Sequence, residues 1–109
     1  MKITLDTYQQ YLAERYGDWA NEQGLFMKLV EEMGEVAEVL NQRSGRKAAE
    51  EDDLQTQLGT ELVDMLHYVV AIAAVNHIDL SGIMIEKDRK ASLKYHHDVN
   101  LERFLLDRQ

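Results

Sequence analysis

The sequence contains no cysteine and no proline, and only six of its 109 residues are glycine. Without cysteine, disulfide bonds and thiolate chemistry are excluded. Without proline, and with so little glycine, the chain has few residues that interrupt helices. Residues that favour helices, namely Ala, Leu, Glu, Met and Gln, are plentiful. The composition therefore predicts an all-α protein.

Positive charge is also scarce, because twelve basic residues stand against twenty acidic ones and give a net charge of −8. Such a surface repels a phosphate backbone, so we do not expect duplex nucleic acid as a partner. The longest apolar stretch, residues 65–75, contains His67 and is far shorter than the roughly 20 residues of a membrane span. We therefore expect no membrane association. No signal-peptide pattern opens the sequence, which favours a cytoplasmic location.

The hydrophobic pattern predicts four main helices and a short fifth one. The capping residues expected at the helix starts are Thr4, Asp52 or Asp53, and Asp79, and Gly17 is expected to end the first helix. The charged segment 43–53 is predicted to be a solvated connection. The predicted helices run over 5–16, from about 26 to 44, over about 53–76, over about 80–95, and through 103–105.

A chain of this length fits a single domain, here residues 1–109, and buries only about two thirds of its unfolded surface. We therefore predict an antiparallel bundle of four to five helices whose core is completed by homo-oligomerisation. Apolar residues at helical spacing are expected to form the core faces of the second and third helices. These residues are Phe26, Leu29, Val30, Met33, Val36, Ala37 and Leu40, and then Leu58, Leu62, Met65, Leu66, Val69, Ile72 and Ala73.

Two of the predicted helices each carry a pair of acidic residues three positions apart, Glu32 with Glu35 and Glu61 with Asp64. Residues at this spacing lie on neighbouring parts of one helix face, so each pair can converge on one point. A single pair of this kind is usually a solvated surface feature. Asp64, however, lies in an otherwise apolar helix, where an unpaired charge is costly. It needs a partner, either a metal ion or a Lys or Arg.

Two antiparallel helices that pack along their apolar faces can bring these four carboxylates together. The cluster would repel itself, and its pKa values would rise, unless a cation compensated the charge. Mg²⁺ prefers oxygen ligands and commonly bridges carboxylates to substrate phosphates. The acidic pairs therefore predict a Mg²⁺ site, for which Mn²⁺ is a substitute.

With these motifs the sequence resembles the MazG-like nucleotide pyrophosphohydrolases of the all-α NTP pyrophosphatase superfamily. Their signature is an ExxE helix followed, after a spacer, by an ExxD helix. The resemblance rests on residues 28–38 (KLVEEMGEVAE) and 61–68 (ELVDMLHY), and it extends to about Tyr95. It implies hydrolysis of a nucleoside triphosphate to the monophosphate and pyrophosphate by a homodimer or homotetramer. House-cleaning of the nucleotide pool is one role compatible with this activity.

The resemblance also implies roles for individual residues. The implied metal ligands are Glu32, Glu35, Glu61 and Asp64. The implied catalytic glutamates are Glu31, Glu32, Glu35 and Glu38, of which Glu31 and Glu38 would support the ligands or orient the attacking water. Lys87, Lys90 and Lys94 would contact the triphosphate, with a solvated amphipathic face as the alternative. Trp19 would stack on the base, with ordinary core packing as the alternative.

Two other functions remain open on the sequence. Asp64 and His67 resemble one half of the Glu-x-x-His device of di-iron and di-manganese helical bundles, although a second such motif is missing. The other alternative is a non-enzymatic helical interaction module that uses its acidic face or its exposed apolar residues to bind a partner. In that case Asp64 would have no special role.

Overall fold

The computed structural model describes residues 1–46 and 53–109, and within these ranges the chain is helical and contains no β-strand. The predicted all-α class is thus confirmed. The predicted connection over 43–53 lies for the most part outside the described residues. The helices are α1 (Leu5–Tyr16), α2 (Glu22–Arg43), α3 (Leu54–Val75), α4 (Leu80–Lys94) and α5 (Leu101–Leu106).

Three helix starts and one helix end lie at expected capping residues, and Asp52, the alternative cap predicted for α3, lies outside the described residues. Thr4, Asp53 and Asp79 each accept a hydrogen bond from a backbone N–H in the first turn of the helix that follows. Gly17 ends α1 with a φ of 55°, a left-handed conformation that glycine adopts at low cost. The start of α2 lies earlier than its apolar pattern indicates, because Asn21 caps it with its side-chain oxygen.

The helices α2 and α3 form an antiparallel hairpin, and α1 lies against α3. Leu25, near the start of α2, packs in one cluster with Val70 and Ala74, near the end of α3. The two helices must therefore run in opposite directions. Leu12 of α1 is fully buried in the same cluster. The helix α4 packs chiefly against α1 and α5.

The face of α3 that the periodicity assigns to the core is only partly covered. Val70, Ala71 and Ala74 are buried, although the pattern did not place them on the main core face. Because α3 is apolar on most of its sides, the spacing of its residues does not specify which side meets α1 and α2. The residues left exposed are Leu62, Leu66 and Val69 on α3 and Phe26, Val30, Met33, Ala37 and Leu40 on α2. We call this set the exposed seam.

One chain alone exposes more surface than a finished monomer of its mass. Its accessible surface is 8535 Å², against about 6,200 Å² expected for a folded monomer of 12.6 kDa. The radius of gyration is 17.2 Å, against about 13 Å for a compact domain of this length. The excess of about 2,300 Å² is of the size that one subunit buries in a large protein interface.

Within the described part of the chain, α3 is long and apolar enough to cross a bilayer on length and composition alone, a test that core helices also pass. Two acidic residues, Glu61 and Asp64, lie in the middle of this helix. Charged residues at the centre of a membrane helix are costly. Together with its packing against α1 and α2, they indicate that α3 is the central helix of the fold.

Candidate active site

Three of the four predicted metal ligands meet on one side of the α2–α3 hairpin. Glu32, Glu61 and Asp64 each offer a carboxylate oxygen, and these oxygens lie within 4.8 Å of one another. The antiparallel packing places Glu32 opposite the second acidic pair, and the three-residue spacing in α3 turns Glu61 and Asp64 to the same side.

This donor set fits a hard divalent cation. In the ranges that the structure describes, the ion pairs of Lys and Arg involve other acidic residues and leave out Glu32, Glu61 and Asp64. The sequence allowed Asp64 either a metal ion or a Lys or Arg as its partner. Among the described residues, no Lys or Arg forms an ion pair with Asp64. Oxygens this close can converge on Mg²⁺, whose oxygen ligands lie at about 2.0–2.1 Å, with small side-chain rotations.

The other three predicted catalytic glutamates of α2 lie around the cluster rather than in it. Glu35 is exposed, but its charge is one of those that raise the pKa of Glu61. Glu31 is exposed and forms an ion pair with Lys28 of the same helix, at 3.3 Å. Glu38 is half-buried one turn beyond Glu35. The metal role of Glu35 and the catalytic roles of all three stay predictions from the resemblance.

The surroundings of Glu61 in the cluster make its ionised form unfavourable. Burial raises the pKa of Glu61 above its ordinary value of 4.5, a hydrogen bond with the Glu32 carboxyl group raises it further, and so do the nearby charges of Glu32, Asp64 and Glu35. The folded protein therefore binds a proton on Glu61 more readily than the unfolded chain does. By linkage, the free energy of unfolding falls as the pH rises from 4.5 through the raised pKa.

We expect Glu61→Gln to stabilise the metal-free protein at pH 7, because the substitution removes the repelled charge. The expected rise in Tm is roughly 3–6 °C, which corresponds to less than about 1 kcal/mol in a domain of this size. At pH 4, where Glu61 is already protonated, the gain should vanish. The measurement is thermal unfolding in EDTA at both pH values, with Glu31→Gln as the control. An unchanged or lower Tm at pH 7 would contradict the repulsive cluster.

A hollow of about 410 Å³ lies beyond the carboxylates, toward the start of α2 and the end of α3, and none of the three carboxylates lines it. Lys28 precedes Glu32 by four residues in α2, and Tyr68 follows Asp64 by four residues in α3, so the hollow begins about one helical turn from the cluster. Neither neighbour has a role predicted from the sequence, although its four-residue spacing to a predicted ligand is visible there. The aromatic and polar side chains in its wall are Tyr16, Trp19, Asn21, Lys28 and Tyr68.

Trp19 lies in the wall of this hollow rather than in the core. Its side chain is 75% exposed, so core packing within one chain does not explain it. Its ring contacts that of Tyr16, with centroids 5.5 Å apart. A tryptophan held at the rim of a hollow is placed to stack on a planar ligand. Its predicted role in base stacking is compatible with this position and stays a prediction.

The three lysines predicted to contact phosphate lie on α4 and are exposed. Lys90 lies 3.8 Å from a carboxylate oxygen of Glu86, and the Lys94 ammonium lies 5.3 Å from the centre of the Tyr95 ring. Among the described residues, no ion pair joins Lys87, Lys90 or Lys94 to the carboxylate cluster. Lys28, which lines the hollow, is a cation beside the cluster within one chain.

His67 is engaged away from the carboxylates. Its Nδ1 lies 3.2 Å from the Tyr8 hydroxyl, and its Nε2 lies 2.5 Å from the Tyr16 hydroxyl. Because both ring nitrogens have partners on α1, neither is available to a metal in this arrangement. This removes the histidine ligand on which the di-iron alternative depends.

Comparison with known proteins agrees with the geometry. No curated protein matches the chain in sequence. The sequence model of the MazG nucleotide pyrophosphohydrolase domain matches residues 20–95, which is well over half of the chain. The match begins beside Trp19 and includes α2, α3 and α4 with both acidic pairs. The chain therefore belongs to the MazG nucleotide pyrophosphohydrolase family.

Proposed function

We propose that this protein is a Mg²⁺-dependent pyrophosphohydrolase that cleaves nucleoside or deoxynucleoside triphosphates to the monophosphate and pyrophosphate. The observation that carries the proposal is the group of three carboxylates, Glu32, Glu61 and Asp64, without a basic partner among the described residues. Membership of the MazG family supports the reaction class. The hollow that begins about one helical turn from the cluster, with its exposed Trp19, supports a ligand that has a planar base.

In this proposal Glu32, Glu61 and Asp64 hold Mg²⁺, and Glu35 joins them from its exposed position. When bound there, the ion would offset charge on the phosphate oxygens and lower the pKa of the attacking water. Glu31 or Glu38 orients that water and accepts its proton. The water attacks phosphorus directly and the anhydride bond between the α- and β-phosphates breaks. No covalent nucleophile is needed, which suits a chain without cysteine.

The nucleoside would occupy the hollow, with its base against Trp19 and its phosphates directed to the carboxylates. Lys28 lies between these two regions on α2 and can offset phosphate charge there. We retain Lys87, Lys90 and Lys94 as phosphate contacts in this proposal. Because α4 packs chiefly against α1 and α5, these lysines would reach the triphosphate from a second subunit or after α4 moves.

We further propose that two copies of the chain pair through the exposed seam. On α2 the seam residues 26, 30, 33, 37 and 40 follow one another at spacings of four and three, which is typical of a helix–helix contact. By helical periodicity they lie on the opposite side of the buried stripe from Glu35, so that pairing leaves the acidic site open. A homodimer, or a homotetramer built from dimers, in the cytoplasm stays our prediction.

The test is pyrophosphate release from a panel of canonical and modified nucleoside triphosphates, with Mg²⁺, with Mn²⁺ and with EDTA. We expect release with either metal and none with EDTA. The ranking of substrates would identify the preferred base, and a preference for modified nucleotides would support a role in house-cleaning. Nucleoside diphosphates serve as the matched control for the length of the phosphate chain. No metal-dependent release from any nucleotide would overturn the proposal and favour an interaction module.

A further inference from the structure

His67 joins two tyrosines of α1 to the central helix, and the proposed reaction leaves it without a role. Its two ring nitrogens contact the hydroxyl groups of Tyr8 and Tyr16, at 3.2 and 2.5 Å. Burial lowers the pKa of His67, and the charge of Arg15 lowers it further, while Asp64 opposes the shift. The imidazole is therefore neutral at pH 7. A neutral imidazole has one donor and one acceptor nitrogen, so one tyrosine hydroxyl accepts a hydrogen bond and the other donates one.

The two tyrosines differ in what lies on their other side. Tyr16 belongs to the wall of the nucleoside hollow, whereas Tyr8 faces a separate apolar groove near the start of α1. Burial raises the pKa of both hydroxyl groups, so both stay protonated at neutral pH. Both hydroxyls thus contact a ring nitrogen of His67, but only Tyr16 lines the hollow.

Three aromatic residues line the hollow, and His67 contacts two of them. One of these two contacts the third. The edge of its ring meets Tyr16, with centroids 5.6 Å apart, and Tyr68, with centroids 4.9 Å apart. Tyr16 in turn supports Trp19, whose ring centroid is 5.5 Å away. A side chain that is 75% exposed has few other contacts to fix its orientation. The orientation of Trp19 therefore depends on Tyr16, and that of Tyr16 on His67.

We propose that His67 is a positioning residue for the nucleoside, which fixes the aromatic wall of Tyr16 and Trp19 at the distance a base requires. This inference rests on the function proposed above. If it holds, loss of the contact between His67 and Tyr16 weakens substrate binding without slowing the chemical step at the carboxylates. A role for His67 in stability alone would affect both of its tyrosine contacts in the same way.

The first test compares kcat and KM of the wild type with those of Tyr16→Phe, Tyr8→Phe and His67→Gln. We expect Tyr16→Phe and His67→Gln to raise KM about three- to tenfold, the factor that one neutral hydrogen bond contributes, with kcat within twofold. Tyr8→Phe is the matched control, because it loses the same kind of contact on the side away from the hollow, and it should keep KM within twofold. Equal changes in KM for the two tyrosine variants, or none, would overturn the positioning role.

The second test does not need turnover, because Trp19 is the only tryptophan in the chain. Its fluorescence reports the wall directly. In the nucleotide-free protein, Tyr16→Phe should shift the emission maximum of Trp19, whereas Tyr8→Phe should leave it unchanged. Identical emission in all variants would overturn the positioning role.

A titration of the same fluorescence with the α,β-methylene analogue of the best substrate, in Mg²⁺, separates the two proposals. We expect Tyr16→Phe to weaken binding by the same factor by which it raises KM. If the wild type hydrolyses nucleotide and binds the analogue, but the two tyrosine variants behave alike, only the role of His67 fails. If the wild type does neither, the proposed function fails and this inference fails with it.

Discussion

Asp64→Asn is expected to abolish pyrophosphate release while the protein stays folded. Asparagine has the same shape but cannot supply the charged oxygen that converges with those of Glu32 and Glu61, which lie within 4.8 Å. Replacing a residue that only supports a metal ligand typically lowers metal affinity or activity about ten- to a hundredfold. Because Asp64 is itself a proposed ligand, kcat/KM should fall by at least about a hundredfold. In the metal-free state Tm should equal or exceed that of the wild type, because one repelling charge is gone.

The measurement is kcat/KM over a series of Mg²⁺ concentrations, with far-UV circular dichroism and thermal unfolding as checks on the fold. Asp98→Asn is the matched control, because Asp98 is an exposed carboxylate on the link between α4 and α5. It should keep the full activity. Asp64→Asn with activity within tenfold of the wild type would show that the carboxylate cluster is not the catalytic metal site. An interaction module, which gives Asp64 no special role, would then be favoured.

Sequence reasoning found the helices and most of their ends because local chemistry determines them. Thr4, Asp53 and Asp79 cap their helices through side-chain oxygens that act within three residues, and Gly17 ends α1 through its own φ. The carboxylate cluster followed from equally local information. Two spacings of three residues and one assumption, that the helices are antiparallel, predicted that four carboxylates converge. The structure groups Glu32, Glu61 and Asp64 and leaves Glu35 exposed beside them.

The sequence could not specify which faces of the helices are covered. The apolar stripe of α2 and the apolar surface of α3 are both wider than one contact, and the structure divides each between a buried side and the exposed seam. His67 shows the same limit for a site residue. Its partners Tyr8 and Tyr16 lie 59 and 51 residues away in the chain, so only the packing of α1 on α3 reveals the contact.

The exposed seam leads to the second large effect that we expect: Val30→Lys should convert the protein from a dimer to a monomer. Val30 is the second of the five seam residues on α2 and is 43% exposed in one chain. Pairing of two seams would place a lysine from each subunit in an apolar contact, and burying an unpaired charge costs at least several kcal/mol. Even 3 kcal/mol weakens association more than a hundredfold, since each 1.4 kcal/mol is a factor of ten.

The exposed surface of the whole chain is large enough for a dimer interface. The excess of about 2,300 Å² over a finished monomer is more than a standard interface takes from one partner, about 800 Å². The contacts within one chain of 12.6 kDa leave the seam exposed, and a second subunit can cover it. We therefore expect the wild type to have at least twice the monomer mass at micromolar concentration.

Met27→Lys is the matched control, because Met27 is on the same helix and is more exposed, at 60%, but lies about 100° from the seam. It should remain dimeric. The measurement is light scattering coupled to size-exclusion chromatography from about 1 to 100 μM, together with circular dichroism to establish that each variant is helical. A monomeric wild type, or a dimeric Val30→Lys, would mean that the seam is not the subunit contact. If Val30→Lys is monomeric and keeps its helices but loses activity, the second subunit completes the active site. That result is expected if the α4 lysines contact the triphosphate from the partner subunit.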